Sequence, residues 1–127
     1  MNIQEKGDLL IRGIGIDIIE LKRIERSLQK NSRIVERILT KEEREVFDQL
    51  KSRRRKIEYL AGRFTAKEAF AKAVGTGIGS LSFQHIQVLT NEKGAPYIQA
   101  KGYDASKIFI SITHSQTYAV ANVVISI

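Results

Sequence analysis

The stretch GRFTAKEAFAKAVGTGIG, residues 62–79, is the centre of the fold that this sequence of 127 residues predicts. Its alanine-rich first part predicts a helix, and Gly75 marks the helix end. Lys67, Glu68 and Lys72 fall within two turns of that helix. Glu68 precedes Lys72 by four residues, the favoured order for a surface ion pair worth about 0.2–0.5 kcal/mol. These residues could instead bind metal and phosphate, and the stretch alone leaves both interpretations open.

The chain before this helix predicts one strand. LIRGIGIDII, residues 10–19, alternates in the way that is typical of a strand with two different faces. One face carries Ile14, Ile16 and Ile18, and the other carries Gly13, Gly15, Asp17 and Ile19. Because glycine has no side chain, another group could approach the backbone closely on the face that carries Asp17.

Helices are predicted between the strand and residue 75. ELKRIERSLQK has apolar residues at helical spacing, and Asn31-Ser32 should end it, with Ser32 capping RIVERIL. Thr40 and Glu43 form a predicted capping box at the start of the next helix. KSRRRK, residues 51–56, is expected to be a basic connector to a long helix over about 57–74.

The apolar pattern changes to a period of two in the second half, which predicts strands. HIQVLT and PYIQAKG flank NEKGA and predict a hairpin, with Pro96 at a strand start or on an edge. KIFISIT and YAVANVVISI, joined by HSQT, predict two more strands. One strand, several helices and a strand-rich half predict the α+β class in a single domain.

Composition restricts the chemistry. The sequence has no cysteine, which excludes disulfides, zinc–thiolate sites and a cysteine nucleophile. Its two histidines cannot form a histidine-rich metal site, so a metal would be held by oxygen, which favours a hard ion such as Mg²⁺. The formal charge of +7 favours an anionic partner: nucleic acid, a phosphorylated cofactor or an acidic protein.

No apolar run approaches the roughly 20 residues that a membrane span needs. Asp8, Arg12 and Asp17 interrupt the apolar N-terminal stretch, which does not fit a secretory signal. The sequence therefore predicts a cytoplasmic protein with no membrane partner.

Several polar residues are candidates for chemistry. Asp17 interrupts an apolar strand, where an acid is costly to bury unless it pairs with a base or binds a cation. Together with Glu68 it could supply the one or two carboxylates that typically hold Mg²⁺. His114 lies at a strand end, where a histidine is commonly structural or solvent-exposed. Basic residues form a second group, spaced at three and four along the chain: Arg23, Arg26, Lys30, Arg33 and Arg37.

Three motifs in order resemble one family. GIGIDIIELKRI, LAGRFTAKEAFAKAVGTGIG and ISITHSQTYAVANVVI are similar to the holo-acyl-carrier-protein synthases, small bacterial members of the 4′-phosphopantetheinyl transferase superfamily. The resemblance runs from about residue 11 to the end of the chain. Residues 1–10 precede the usual family start and are expected to be a natural extension or an expression remnant, and 11–127 a single transferase domain.

The resemblance implies a reaction and its site. Such enzymes move the 4′-phosphopantetheine arm of coenzyme A to a serine of an acyl carrier protein, and they require Mg²⁺. It implies that Asp17 and Glu68 ligate the metal and that Glu68, directly or through a metal-bound water, also takes the serine proton. Lys72 matches a lysine that contacts phosphate and assists the leaving group. The positions that match coenzyme A contacts are Lys67, Arg63 and His114, with Arg54 as a contact for the 3′-phosphate.

The family also implies partners. Acyl carrier proteins are acidic, and the residues that match the family's docking positions are Arg23, Lys30, Arg33, Ile34 and Arg37. Members of this length are homotrimers with active sites between subunits, so a trimer is expected. Two rival interpretations stay open: a basic nucleic-acid-binding domain, and a non-catalytic module that binds carrier proteins. The first would not need Asp17 and Glu68, and a pure binder has no use for the full set of Asp17, Glu68 and Lys72.

Overall fold

The computed structural model describes residues 10–127, which form a strand, four helices and then four more strands. The first strand, β1, spans Ile11–Glu20. The helices are α1 (Leu21–Lys30), α2 (Arg33–Ile38), α3 (Lys41–Gln49) and α4 (Arg53–Val74). The later strands are β2 (Ile86–Thr90), β3 (Pro96–Ala100), β4 (Ile108–His114) and β5 (Tyr118–Ser126). The predicted α+β class is confirmed; the expected N-terminal extension lies, except for residue 10, outside the described residues.

Two antiparallel sheets support the long helix. In the first, β5 lies between β1 and β4, so that Asp17 pairs with Ala121, which in turn pairs with Ile112. The second sheet is the hairpin of β2 and β3, in which Pro96 is the first residue of its strand. The β2–β3 hairpin was predicted from the sequence, and β4 and β5 were predicted as two strands joined by HSQT. The return of β5 to pair with the first strand of the chain was not.

Helix α4 crosses β1 at backbone contact. A Cβ atom on Gly13 would lie 2.0 Å from the carbonyl oxygen of Ala73, and one on Gly15 would lie 1.9 Å from that of Ala69. Side chains at these two positions would therefore overlap the helix backbone. The group that approaches the glycine face of the strand is α4 itself, and Asp17 lies two residues further along the same face.

The start of α4 corrects one prediction. The helix begins at Arg53 instead of residue 57, because Ser52 caps it by accepting a hydrogen bond from the Arg55 amide at 3.0 Å. The last four residues of KSRRRK are therefore the first helical turn and not a connector. Gly75, with φ of 97°, ends α4 as predicted.

The cap of α2 was predicted correctly in position but not in its bonding. Ser32 occupies the N-cap position but makes no side-chain cap bond within the described chain, and Asn31 Oδ1 instead accepts from the Arg33 amide at 3.0 Å. The predicted capping box of α3 is confirmed. Thr40 Oγ1 accepts from the Glu43 amide at 3.3 Å, and the Thr40 amide donates to Glu43 Oε1 at 2.7 Å.

The face of the three-stranded sheet that points away from α4 is apolar and exposed. Ile14, Ile16 and Ile18 have 61%, 60% and 60% of their surface exposed, and Phe109 on β4 has 58%. A contiguous apolar surface of this kind on a protein commonly marks an interaction site. We call these residues the outer sheet face. No helix within residues 10–127 is long and apolar enough to cross a membrane.

The contact between β1 and α4 predicts that Gly15→Ala destabilises the fold. The added methyl group has to displace the Ala69 carbonyl, and such overpacking costs typically about 1–3 kcal/mol. Chemical denaturation should show this loss of unfolding free energy. Gly62→Ala is the control, since its Cβ meets only a side-chain methyl of Ile112 at 3.3 Å and gains helix propensity. Equal stabilities of the two variants would contradict the prediction.

Candidate active site

Asp17 and Lys72 form an ion pair between strand and helix. Lys72 Nζ donates to Asp17 Oδ1 at 3.1 Å and to the backbone carbonyl of Ile16 at 3.0 Å. The Asp17 side chain is 17% exposed and that of Lys72 is 52% exposed. The surface pair of Glu68 with Lys72, which the spacing permits, does not form among the described residues. The ammonium reaches the strand instead, because the glycines bring β1 close to this side of α4.

Glu68 lies beside this pair, one turn before Lys72. Its pKa is raised chiefly by burial and further by the nearby carboxylate of Asp17, while Lys72 acts in the opposite direction. Asp17 and Glu68 are partly buried carboxylates that repel each other, and a cation between them would stabilise the charged form of both. In the structure the Lys72 ammonium supplies part of that positive charge.

The oxygen donors of Asp17 and Glu68 fit a magnesium ion. Within residues 10–127 no cluster of three or more His, Cys, Asp or Glu side chains is present. Mg²⁺ commonly takes one or two protein carboxylates and completes its coordination with water and substrate phosphate. The two acids and their mutual repulsion are therefore a suitable donor set, whereas a site made wholly of protein ligands would need more residues.

An apolar cleft of about 310 Å³ opens next to Glu68. Its walls are Ile34, Ile38, Phe64, Ile78 and Phe83, with Arg37 as the one basic residue. Ile34 and Arg37 are two of the predicted docking residues. The other three, Arg23, Lys30 and Arg33, are exposed on α1 and at the start of α2. The predicted docking residues thus lie on the α1–α2 side of the molecule, and two of them share a cleft with Glu68.

A second, basic cleft of about 200 Å³ holds Arg63 and His114, together with Arg55, Glu58 and Tyr59. Arg63 Nη2 donates to Thr90 Oγ1 at 3.2 Å, and its guanidinium lies 4.1 Å from the centre of the Tyr59 ring. Arg63 Nε and the Tyr59 hydroxyl are buried without a hydrogen-bond partner among residues 10–127. Burial raises the pKa of Tyr59.

Arg54, in the first turn of α4, contacts a residue of this basic cleft. Its Nε donates to Glu58 Oε2 at 2.9 Å, and its Nη2 donates to the carbonyl oxygen of Gln116 at 2.9 Å. Three of the predicted coenzyme A contacts therefore lie in or beside the basic cleft. Arg63 and His114 line it, and Arg54 contacts Glu58, which also lines it.

The two groups of predicted residues lie on opposite sides of α4. Asp17 is on β1 and His114 on β4, with β5 between them, so two strand spacings of about 4.8 Å separate the strands. Their register partners, Ala121 and Ala119, are buried on the face that α4 covers. Among residues 10–127, no hydrogen bond or ion pair joins the acidic site to the basic cleft, and the two clefts share no lining residue.

The placement of Lys67 corrects its predicted role. Its side chain is fully buried, and Nζ donates to Glu43 Oε1 at 2.6 Å, to the carbonyl of Ile38 at 2.6 Å and to that of Phe83 at 3.1 Å. All three ammonium protons are used within the chain, which leaves none for coenzyme A. Burial lowers the pKa of Lys67, and the paired Glu43 carboxylate opposes that shift.

Sequence reasoning missed Glu43 and Glu58. Glu43 was interpreted only as part of a capping box, yet Oε2 also accepts from the Val88 amide at 2.6 Å and joins α3 to β2. Glu58 follows Arg54 by four residues, a helical spacing that could have indicated their contact. No local pattern predicts that it also faces His114, which is 56 residues away in the chain.

Comparison with known proteins identifies the superfamily of this chain. A sequence profile for the 4′-phosphopantetheinyl transferase superfamily matches residues 13–125. The chain therefore belongs to the 4′-phosphopantetheinyl transferase superfamily.

Its relatives narrow the class. The holo-[acyl-carrier-protein] synthase of Oceanobacillus iheyensis is 58% identical over 116 residues, which cover 91% of this chain and 97% of the relative. The holo-[acyl-carrier-protein] synthase of Geobacillus sp. (strain WCH70) is 53% identical over 117 residues, which cover 91% of this chain and 97% of the relative. The crystal structure of a Bacillus anthracis holo-(acyl-carrier-protein) synthase in complex with CoA (3′,5′-ADP) is 49% identical with a TM-score of 0.82, over 91% and 96% of the two chains. Within the superfamily, the chain falls among the holo-[acyl-carrier-protein] synthases, and the predicted transferase fold is confirmed.

The buried position of Lys67 predicts that Lys67→Met is strongly destabilising. The substitution leaves the Glu43 carboxylate buried without its cation, which costs about 3–5 kcal/mol. Chemical denaturation measures this loss. Lys72→Met on the same helix is the matched control, because its ion pair is half exposed and such pairs contribute about 0–1 kcal/mol. Similar losses in both variants would contradict the structural role of Lys67.

Proposed function

We propose that this chain transfers the 4′-phosphopantetheine arm of coenzyme A to a serine hydroxyl of apo-acyl carrier protein, releasing adenosine 3′,5′-bisphosphate. The observation that carries the proposal is the group of Asp17, Glu68 and Lys72, in which two acids and a lysine meet beside an open apolar cleft. The product, holo-acyl carrier protein, serves fatty acid biosynthesis, and a cytoplasmic location follows from that role.

In this reaction the serine oxygen forms a bond to the β-phosphorus of the pyrophosphate while the bond to the leaving bisphosphate breaks. Glu68, directly or through a water molecule, is the group we propose to accept the serine proton, since its carboxylate lines the open apolar cleft beside Asp17 and Lys72. Asp17 and Glu68 would hold Mg²⁺, which supplies charge neutralisation at the phosphates. Lys72, which pairs with Asp17 in this structure, is the residue that would contact the phosphates and assist the leaving group.

The basic cleft is the proposed site for the nucleotide part of coenzyme A. Arg63 and His114 line it, and Arg54 lies at its edge, held by the Gln116 carbonyl. Guanidinium groups bind phosphate oxygens in pairs, which suits the 3′-phosphate and the pyrophosphate. Lys67 is left out of this proposal because its ammonium is used in the core.

An acidic carrier protein is the proposed macromolecular partner. The exposed basic residues of α1 and α2 would attract it, while Ile34 offers an apolar contact next to Glu68. Charge complementarity of this kind chiefly raises the association rate and weakens with salt. Lys30 provides charge here but not the bidentate geometry of arginine.

We further propose that the active enzyme is a homotrimer with each site between two subunits. The acidic site and the basic cleft lie on opposite sides of α4, so the acids of one subunit need the basic cleft of another. A head-to-tail contact that closes as a ring provides this arrangement three times. The exposed isoleucines of the outer sheet face supply apolar surface for such an assembly.

The reaction is tested by the intact mass of an apo-acyl carrier protein incubated with the chain, coenzyme A and Mg²⁺. We expect a gain of one phosphopantetheine that a chelator abolishes. Glu68→Gln should lower the rate by at least about 10²-fold, since general base and metal ligand are lost together. Glu45→Gln, an exposed acid on α3, is the isosteric control and should keep full activity. A folded protein that binds carrier protein without modifying it would overturn the transferase in favour of a binding module.

The composite site is tested by mixing two inactive variants. Asp17→Asn removes a metal ligand and His114→Ala removes a nucleotide contact, so each alone should be nearly inactive. After subunit exchange at equal amounts, about a quarter of the sites in a head-to-tail trimer combine an intact acidic site with an intact basic cleft. Transfer activity should recover to about that fraction. Sites contained within one chain would show no recovery, and sedimentation of the mixture reports the oligomeric state.

A further inference from the structure

Among residues 10–127, Glu58 is the one acid that lines the basic cleft, and neither the acidic site nor carrier docking uses it. It lies on the second turn of α4, and its side chain is only 11% exposed. Oε2 accepts from Arg54 Nε at 2.9 Å, and Oε1 lies 3.4 Å from Arg55 Nη1. On the other side, Oε2 is 3.7 Å from Nδ1 of His114 at the end of β4. One largely buried carboxylate therefore lies close to three basic groups from two elements.

We propose that Glu58 is a positioning residue for coenzyme A: its carboxylate orients His114 and Arg54 toward the phosphates without touching the cofactor itself. This inference rests on the proposed function, which places coenzyme A in the basic cleft. Two further observations, one on Arg54 and one on His114, support it.

The first observation is that Arg54 is fixed from two directions. Glu58 holds Nε, while Nη2 donates to the carbonyl oxygens of Gln116 at 2.9 Å and Ser115 at 3.5 Å in the turn after β4. Glu58 and Arg54 thus connect the start of α4 with the turn that follows His114. An ordinary surface pair on a helix does not bridge to another element, and its acid is not nine-tenths covered.

The second observation concerns the two nitrogens of His114. Nδ1 is the nitrogen that faces the Glu58 carboxylate, at 3.7 Å, which is long for a hydrogen bond. The nitrogen that a carboxylate partner occupies determines which one remains for a ligand. Glu58 therefore leaves Nε2 as the nitrogen of His114 that is available to a phosphate oxygen in the cleft.

The alternative effect of Glu58 is electrostatic and has the opposite sign. A carboxylate near an anion site repels phosphate, so a residue that acted through charge alone would weaken coenzyme A binding, and its removal would strengthen binding. A positioning residue predicts the reverse, because removal leaves Arg54 and His114 free to adopt other rotamers. The sign of the change in affinity therefore separates the two roles.

The experiment compares the chain with its Glu58→Gln and Glu58→Asp variants, using coenzyme A as the probe in isothermal titration and in transfer kinetics. We expect Glu58→Gln to raise Kd and KM for coenzyme A roughly tenfold, with kcat and the KM for carrier protein changed by less than about twofold. Glu58→Asp keeps the negative charge but has a shorter side chain, and it should also raise Kd and KM for coenzyme A. Glu25→Gln is the matched control, since Glu25 pairs with the neighbouring Arg53 at 3.6 Å and should leave coenzyme A binding unchanged.

Unchanged or tighter binding of coenzyme A by Glu58→Gln would overturn the inference, as would equal effects on kcat and on both KM values. If Glu58→Gln is not stably folded, Glu58→Asp provides the same comparison. Failure of the proposed function is a different outcome, because the unaltered chain would then neither bind coenzyme A nor modify a carrier protein.

Discussion

The contact of α4 with the backbone of β1 is the constraint on which the rest of the structure depends. Gly13 and Gly15 allow the carbonyl groups of Ala69 and Ala73 to lie where side chains would otherwise be. This approach brings Asp17, two residues beyond Gly15, within reach of Lys72 and close to Glu68. A wider separation would leave a strand carboxylate facing an apolar helix, with no cation near it. The glycines therefore serve packing and site construction at once.

Two adjacent residues of α4, Lys67 and Glu68, have different roles: one is buried in the core and the other lines the open cleft. Lys67 turns into the core, where it joins Glu43 and the carbonyls of Ile38 and Phe83. Glu68 is displaced by about 100° around the helix and faces the open cleft. The side chains of Ile38 and Phe83 form walls of that cleft, so the buried ion pair holds the segments that shape the surroundings of Glu68. A buried pair contributes little net stability by itself, but it fixes which segments meet.

Local patterns predicted the elements better than the contacts between them. Strand alternation, turn residues and the Thr40 capping box depend on neighbours in sequence, and these predictions were confirmed. The partners of Lys67 and Lys72 were not predictable, because each lysine contacts residues 16 or more positions away. The helical spacing of Glu68 and Lys72 predicted an ion pair between them. In the structure Lys72 pairs with Asp17 on β1 instead. Asp17 was recognised as unusual because an acid in an apolar strand requires a partner wherever the chain supplies one.

The position of α4 also explains why the basic cleft is separate from the acids. Within residues 10–127, the helix packs against the three-stranded sheet on one side and against α1–α3 and the β2–β3 hairpin on the other, so its side chains reach the surface mainly at the flanks. Functional residues on a central helix must therefore project toward opposite edges. The acids emerge beside β1 and the cations beside β4. The assembly we propose, in which the edge of one copy faces the opposite edge of another, would bring the acids and the basic cleft into one site, and the exposed outer sheet face offers apolar surface for such a contact.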